Sequence, residues 1–346
     1  MGGGPPCKDA FIRGLREPKR LGWNVTNMRQ NQDNSPSNAG VLAAMGRIGG
    51  VVTRTPLLGI ETPHGAMWLK AESLQLGGAF KFRGAYNRLV QIPDADRPNG
   101  VVAFSSGNHA QGVARAAKML GIPAAIVMPA DAPKVKLDGT RALGAEIILY
   151  DRHTESREQI AAALADARGA VLVPSFDDKD IIEGQGTIGL EVADQLGHAP
   201  ARLVTPCGGG GLAAGIALAL PDTEIIVAEP FGWEDMGRSL ERGQIVEVPA
   251  DAPYTACDAL QTRRVADQTF EALRTAGAKG VAVTEAEHRA AMRFAFGRGL
   301  VVEPGGAVAL AAALAGKLPA DGAETVIVCS GSNVDPMAFA QVLQES

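Results

Sequence analysis

Short, continuous apolar runs recur along the chain from about residue 100, each bounded by glycine, proline or polar residues. GVVAF (100–104), AAIVMP (124–129), EIILY (146–150), AVLVP (170–174), RLVTP (202–206), EIIVAE (224–229), GVAVT (280–284) and TVIVCS (325–330) are strand-length and do not alternate. Helix-length segments separate them, at 112–120, 134–143, 154–168 and after GQGT (184–187). Strands buried on both faces read as unbroken apolar runs, so this alternation predicts an α/β fold with mostly parallel sheets covered by helices. Ligands of such sheets bind beyond the carboxyl ends of the strands, which singles out the loops that follow the runs. Upstream, Val41, Leu42, Met45 and Ile48 have helical spacing and open the globular part near Ala39, and residues 67–69 suit another strand. Residues 1–38 lack any such period. MGGGPP and NQDNSPSN are polar and turn-rich, which predicts a disordered tail, with Met28 an alternative start.

Length and composition narrow the class. A chain of 346 residues with 46% hydrophobic and 21% charged residues has the profile of a soluble protein of about two domains. A net charge of −5 without a basic run argues against nucleic acid or an anionic membrane as partner. No apolar run is long enough to span a bilayer, and the basic N-terminus lacks the apolar core of a secretory signal. Cys7, Cys207, Cys257 and Cys329 are scattered without a CxxC pair. That spacing argues against a disulfide framework and a structural zinc site, and suits a reducing, cytoplasmic location.

The loops carry the chemistry. GGAFKFRGA (77–85) holds Lys81 between Phe80 and Phe82, after two glycines that allow close backbone approach. Flanking rings would exclude water and lower the amine's pKa, giving the neutral form that makes a Schiff base with a carbonyl. An exposed lysine opening a helix is the other reading. SSGNHAQG (105–112) ends a strand and starts a helix, where backbone N–H groups favour a carboxylate or phosphate, or where Ser106 or Asn108 simply caps. PCGGGGLAAG (206–215) can wrap backbone amides around a phosphate. Gly208, Gly210 and Ala213 also fit GxGxxA, with Glu229 ending a strand downstream, as in a nicotinamide-dependent oxidoreductase. CSGSNVD (329–335) places the Ser330 hydroxyl at a strand end, and EPGGA (303–307) sets Glu303 before Pro304 at a helix start. Glu229 and Asp235, with the Trp233 carbonyl, could chelate a hard cation or be two surface acids.

Taken together and in order, GGAFKFRGA, SSGNHAQG, GQGTIGLE, the four-glycine loop, EPGGA and CSGSNVD resemble the fold type II pyridoxal-phosphate enzymes of the threonine and serine dehydratase and serine racemase family, from about Ala39 onward. The resemblance implies two three-layer, mostly parallel domains like those of the tryptophan synthase β chain. The large cofactor-binding domain would be 39–96 plus 176–346, and the small substrate-loop domain 97–175. It implies that Lys81 holds pyridoxal 5'-phosphate, that Gly208, Gly209, Gly210 and Gly211 cradle the phosphate, and that Phe80, Asn108, Glu303 and Ser330 complete the cofactor site. Ser105, Ser106, Gly107 and His109 would take the substrate carboxylate. Ser106 would be a second catalytic base, and Glu229, Trp233 and Asp235 would hold Mg2+ or another divalent cation.

The implied reaction is β-elimination from L-threonine or L-serine to a 2-oxo acid and ammonia, with serine racemase or 3-hydroxyaspartate ammonia-lyase activity as the alternative, in a homodimer acting on a small amino acid. Ala79 stands where many relatives carry serine, and Ser332 where they carry glycine. QTRR (261–264) follows Asp258 where relatives commonly carry proline; its arginines are expected to face solvent, and either one, turned inward, would suit a second substrate carboxylate. The short stretch after Asp335 leads to the expectation that the isoleucine-feedback type, with its regulatory domain, is disfavoured.

Overall fold

The apolar runs assemble into two separate sheets. The computed structural model describes residues 35–132 and 134–345. Residues 1–34 of the expected tail lie outside the described residues. Helix α1 (Asn38–Ile48) starts one residue before the predicted boundary, with the Ser37 hydroxyl accepting the Gly40 N–H as its cap.

Among the described residues, the larger sheet has six strands. Strand β1 (Leu57–Thr62) pairs antiparallel with β2 (Gly65–Lys70), and β2 lies parallel to β10 (Thr325–Val328). Then come β7 (Arg202–Pro206), β8 (Glu224–Pro230) and β9 (Lys279–Val283), all parallel, giving the order β1-β2-β10-β7-β8-β9. The smaller sheet is wholly parallel, in the order β5-β4-β3-β6, from β3 (Val101–Phe104), β4 (Ala124–Pro129), β5 (Glu146–Tyr150) and β6 (Val171–Leu172). Each sheet is the middle of three layers, as the apolar runs require.

One face of the large sheet packs on α10 (Glu285–Phe296), α11 (Pro304–Leu314) and α12 (Pro336–Gln344) through Ile327, Val204, Met292 and Leu310. Its other face meets α1, α6 (Lys179–Leu196), α7 (Gly211–Ala219) and α9 (Asp267–Thr275) through Val326, Leu203, Ile188 and Ile216. The small sheet is covered on one side by α2 (Lys81–Val90) and α3 (Asn108–Leu120), and on the other by α5 (Arg157–Arg168). Helix α4 (Lys134–Ala142) packs beside α3, and α8 (Asp235–Arg242) beside β9.

Two expectations change. The sequence places GQGT before a helix, yet α6 begins at Lys179, capped by Asp178, and contains it. Its glycines are small because neighbouring backbones cross there. A Cβ on Gly184 would lie 2.7 Å from the Gly84 Cα, and one on Gly186 2.5 Å from the Gly215 carbonyl oxygen. Residues 39–96 were grouped with the large sheet, but Phe82, Ala85, Leu89 and Ile92 share one core with Val101, Ala103 and Ile126 of the small sheet. Helix α2 therefore packs on the small sheet and, through Gly84, on α6.

Beneath α2 lies a charge network that the apolar pattern did not reveal. Arg83, fully buried, donates to Glu72 at 2.7 and 2.9 Å and to Glu191 at 2.7 and 2.9 Å. Lys70 donates to Glu191 at 2.6 Å. Two cations and two carboxylates balance, which is the condition under which buried charges are tolerated.

Candidate active site

The loops at the carboxyl ends of β2, β3, β7 and β10 converge on Lys81. Gly77 and Gly78 precede it with φ of 80° and 76°, a left-handed stretch that glycine tolerates. The Phe80 N–H donates to the Ser330 carbonyl at 3.1 Å, and Ala79 bridges to Gly331, so the lysine segment is tied to the loop after β10. The Ser332 hydroxyl donates to the Ser73 carbonyl at 2.8 Å, giving the serine that stands in a glycine's place a role in that tie.

Lys81 is half-buried at the first position of α2, and its Nζ donates to the Ser175 carbonyl at 2.8 Å. Burial lowers its pKa to about 8. The Phe80 ring sits 5.1 Å from that nitrogen. Phe82 does not flank the amine: it is buried in the core against Tyr86.

Phe176, next to Ser175, covers the glycine loop. A Cβ on Gly209 would meet its ring at 2.3 Å and one on Gly211 its Cβ at 3.1 Å, while Gly210 has φ 89°. The Thr269 hydroxyl donates to the Gly209 carbonyl at 2.8 Å, and a Cβ on Gly208 would reach the Thr262 hydroxyl at 3.2 Å. Helix α7 starts at Gly211, so this backbone cradle sits at a helix N-terminus, where an anion is favoured. Lys81 and the cradle thus meet on consecutive residues, Ser175 and Phe176, at the end of the small sheet's edge strand.

Asn108, the first residue of α3, donates to Glu303 at 2.6 Å and accepts from Asn333 at 2.8 Å. Burial raises the Glu303 carboxyl to about 7, opposed by that Asn108 bond. The buried Ser330 donates its N–H to the Gly306 carbonyl at 3.3 Å, and its hydroxyl has no hydrogen bond among the described residues. Ser105, Ser106 and Gly107 are half-buried; the Gly107 N–H donates to the Ser105 hydroxyl at 3.2 Å, and open space lies where a Gly107 Cβ would point.

His109 is placed differently from the carboxylate clamp expected of it. It is buried with Nε2 2.9 Å from the Val173 carbonyl, and burial together with the Lys81 charge lowers its pKa to about 3. A neutral ring held beneath the loop supports the loop and offers no charge to a substrate.

Glu229 accepts the Met236 and Gly237 N–H groups at 2.9 and 2.8 Å, at the start of α8. Its buried carboxylate is thereby engaged, which removes the ribose contact that a nicotinamide site would need. Asp235 is buried with neither carboxylate oxygen hydrogen-bonded among the described residues. Burial raises both acids, Asp235 to about 7 and Glu229 well above the usual range, where the neighbouring Asp235 charge adds to the effect. These are not surface acids, and orphaned carboxylate oxygens suit a hard cation. The Trp233 indole donates outward to the Pro253 carbonyl at 2.8 Å, leaving its backbone carbonyl as the group in question.

Arg263 and Arg264 are exposed, and Arg264 pairs with Asp267 at 3.0 Å. Both face solvent, as expected. Residues not foreseen as part of the site are Ser175, Phe176, Asn333 and Lys136. The first two sit in VPSFDD after an apolar run, so the strand-end rule could have found them. Lys136, on α4, pairs with Asp258 at 2.6 Å, and its charge is felt by Glu303.

Comparison with known proteins agrees with this geometry. A protein-family model described as pyridoxal-phosphate dependent enzyme matches residues 48–331. An L-threo-3-hydroxyaspartate ammonia-lyase from Pseudomonas is 42% identical over 88% of this chain and 97% of its own. A serine racemase from Schizosaccharomyces pombe is 37% identical over 90% and 98%. The crystal structure of a T.th. threonine deaminase superposes with a TM-score of 0.79 at 40% identity, covering 87% of this chain and 99% of that one. The half-buried lysine, the glycine cradle and these likenesses agree: the chain belongs to the family of pyridoxal-phosphate dependent enzymes, the branch with homologues named ammonia-lyase and serine racemase.

Proposed function

We propose that this chain is an ammonia-lyase that eliminates the β-hydroxyl of a 3-hydroxy amino acid, taking L-threo-3-hydroxyaspartate ahead of L-threonine and L-serine. The observation that carries the reaction is the Lys81 amine, brought to about 8 by burial beside a glycine cradle. Bound there, pyridoxal phosphate supplies an electron-withdrawing ring that makes the substrate's α-proton acidic. Lys81 holds the cofactor through its amine and, when that amine is free, takes the α-proton as general base. Backbone N–H groups of Gly208 to Gly211 receive the phosphate. Asn108, steadied by Glu303 and Asn333, would help to hold the cofactor's ring, and the Ser330 hydroxyl would offer it a neutral polar partner. A neutral hydroxyl there would leave the ring a weaker electron sink than a carboxylate would. Ser105, Ser106 and Gly107 take the α-carboxylate at the start of α3.

Preference for a second carboxylate is supported by Lys136, a half-buried cation near Glu303, and by the 42% identical relative. Glu229, Asp235 and the Trp233 carbonyl hold a divalent cation, the small sheet with its helices closes over the substrate, and the protein works as a homodimer. A racemase reading is favoured by one observation: the Ser106 hydroxyl is half-buried and makes no hydrogen bond among the described residues, so it is free to act on the opposite face.

The test is the rate of 2-oxo acid formation from the three substrates, with chirality of the residual serine followed in the same assay. Lys136→Met is expected to lower kcat/KM for 3-hydroxyaspartate by roughly tenfold to a hundredfold, the worth of one charge-assisted contact, and to leave threonine nearly unchanged. Equal losses on both substrates would refute the assignment of Lys136.

A further inference from the structure

Away from Lys81, three side chains from two elements meet without any role in the chemistry above. Cys257, a free and fully buried thiol, precedes the short turn at Asp258–Leu260. Glu285 and His288 lie three residues apart in the first turn of α10, on one face of the helix. One ligand atom from each of the three lies within 4.8 Å of the others. His288 is fully buried, and neither ring nitrogen has a hydrogen-bond partner among the described residues, although Nε2 approaches Glu285 to 3.1 Å. Burial lowers that ring's pKa, which favours the neutral form that binds a metal. Glu285 is oriented by the Thr255 hydroxyl at 2.6 Å and the Ala256 N–H at 3.3 Å, the kind of outer support that metal-bound carboxylates carry. Its side chain is 35% exposed and gives an ion a way in.

We propose that Cys257, Glu285 and His288 bind a zinc-class divalent ion that fastens the Asp258–Leu260 turn to helix α10. Thiolate, imidazole and carboxylate together select a borderline-soft metal over Mg2+ or Ca2+. Tetrahedral bonds of about 2.0–2.3 Å put ligand atoms roughly 3.4–3.8 Å apart, so the Glu285–His288 pair is already close enough and the Cys257 sulfur needs to shift by at most about an ångström. On binding, the Cys257 thiol gives its proton to water and its sulfur bonds the ion. The fastened turn matters to the site, because Ala259 and Leu260 pack against Gly208 and Leu260 against Gly305, while Asp258 holds Lys136. The absence of a CxxC pair hides this grouping, since its ligands come from separate elements.

The test uses the full-length holoprotein, stripped with a chelator and reloaded with ZnCl2, and reads metal content, thermal midpoint and zinc-edge X-ray absorption. The expected result is one tightly held zinc per chain with one sulfur neighbour and a raised Tm. Cys257→Ala and His288→Ala are each expected to weaken uptake by about a hundredfold or more. Glu285→Gln, reaching the surface, gives the same readout should a core variant fail to fold. Failure of the wild type to hold zinc, a zinc shell without sulfur, or sulfur-bound zinc retained in Cys257→Ala would each overturn the proposal. None of these outcomes depends on the elimination reaction, so the two proposals fail separately.

Discussion

At the scale of the residue, Lys81 owes its chemistry to where its amine sits. Desolvation lowers it to about 8, and the Ser175 carbonyl holds it by a hydrogen bond without adding a charge. The sign is favourable for a carbonyl partner: the neutral fraction is about a tenth at pH 7 and about nine-tenths at pH 9. Capture of added pyridoxal phosphate by stripped protein should therefore rise about tenfold from pH 7 to pH 9 and flatten above pH 8. An amine at its ordinary 10.5 would still be climbing steeply at pH 9, and stopped-flow absorbance separates the two. Burial decides the neighbouring residues as well. It leaves His109 neutral and structural, and it sets Asp235 and Glu229 face to face as carboxylates that a cation would relieve.

At the scale of the element, close helix crossings hold the lysine segment. Gly84 meets Gly184 between α2 and α6, and Gly186 meets Gly215 between α6 and α7. Gly184→Ala should push α2 away from α6, cost about 1–3 kcal/mol of stability and lower turnover with it, as measured by denaturant unfolding and steady-state rates. An unchanged stability would mean that the crossing relaxes freely. These crossings also show where sequence reading stops. The apolar runs predicted the parallel strands well, and AAIVMP and EIILY coincide with β4 and β5 end to end. GQGT misled because a glycine reads alike whether it serves a turn or a helix contact, and only the partner helix tells them apart. The charges on Arg83, Glu72, Glu191 and Lys70 were invisible for a related reason: each reads as a surface residue until its partner, distant in sequence, is known. Lys81 and the glycine cradle were legible because each is a local motif at a strand end. Phe176, Asn333 and Lys136 were not, because their contribution is contact across the two sheets' loops.

At the scale of the whole molecule, the two sheets are joined by loops at the site and by a core in which Ile48 of α1 and Ile181 of α6 pack with α2 and the small sheet. Ser175 and Phe176 from the small sheet's edge reach Lys81 and the glycine cradle, and Lys136 reaches Asp258. A proposed cation at Asp235 and Glu229 would act on the same assembly from the far side of the cradle, since Met236 packs against Gly210. Mg2+ is expected to raise the Tm of the wild type. Asp235→Asn should abolish that response while raising the cation-free Tm, because it removes one of two facing buried carboxylates. A variant that keeps the full response to Mg2+ would locate the cation elsewhere. The central claim is that Lys81 carries the cofactor, and peptide mapping after borohydride reduction of the cofactor-loaded protein tests it most directly. The account predicts a phosphopyridoxyl group on the Lys81 peptide, and none in Lys81→Ala. A group on another lysine, or no group on any peptide of a protein that still turns over substrate, would contradict it.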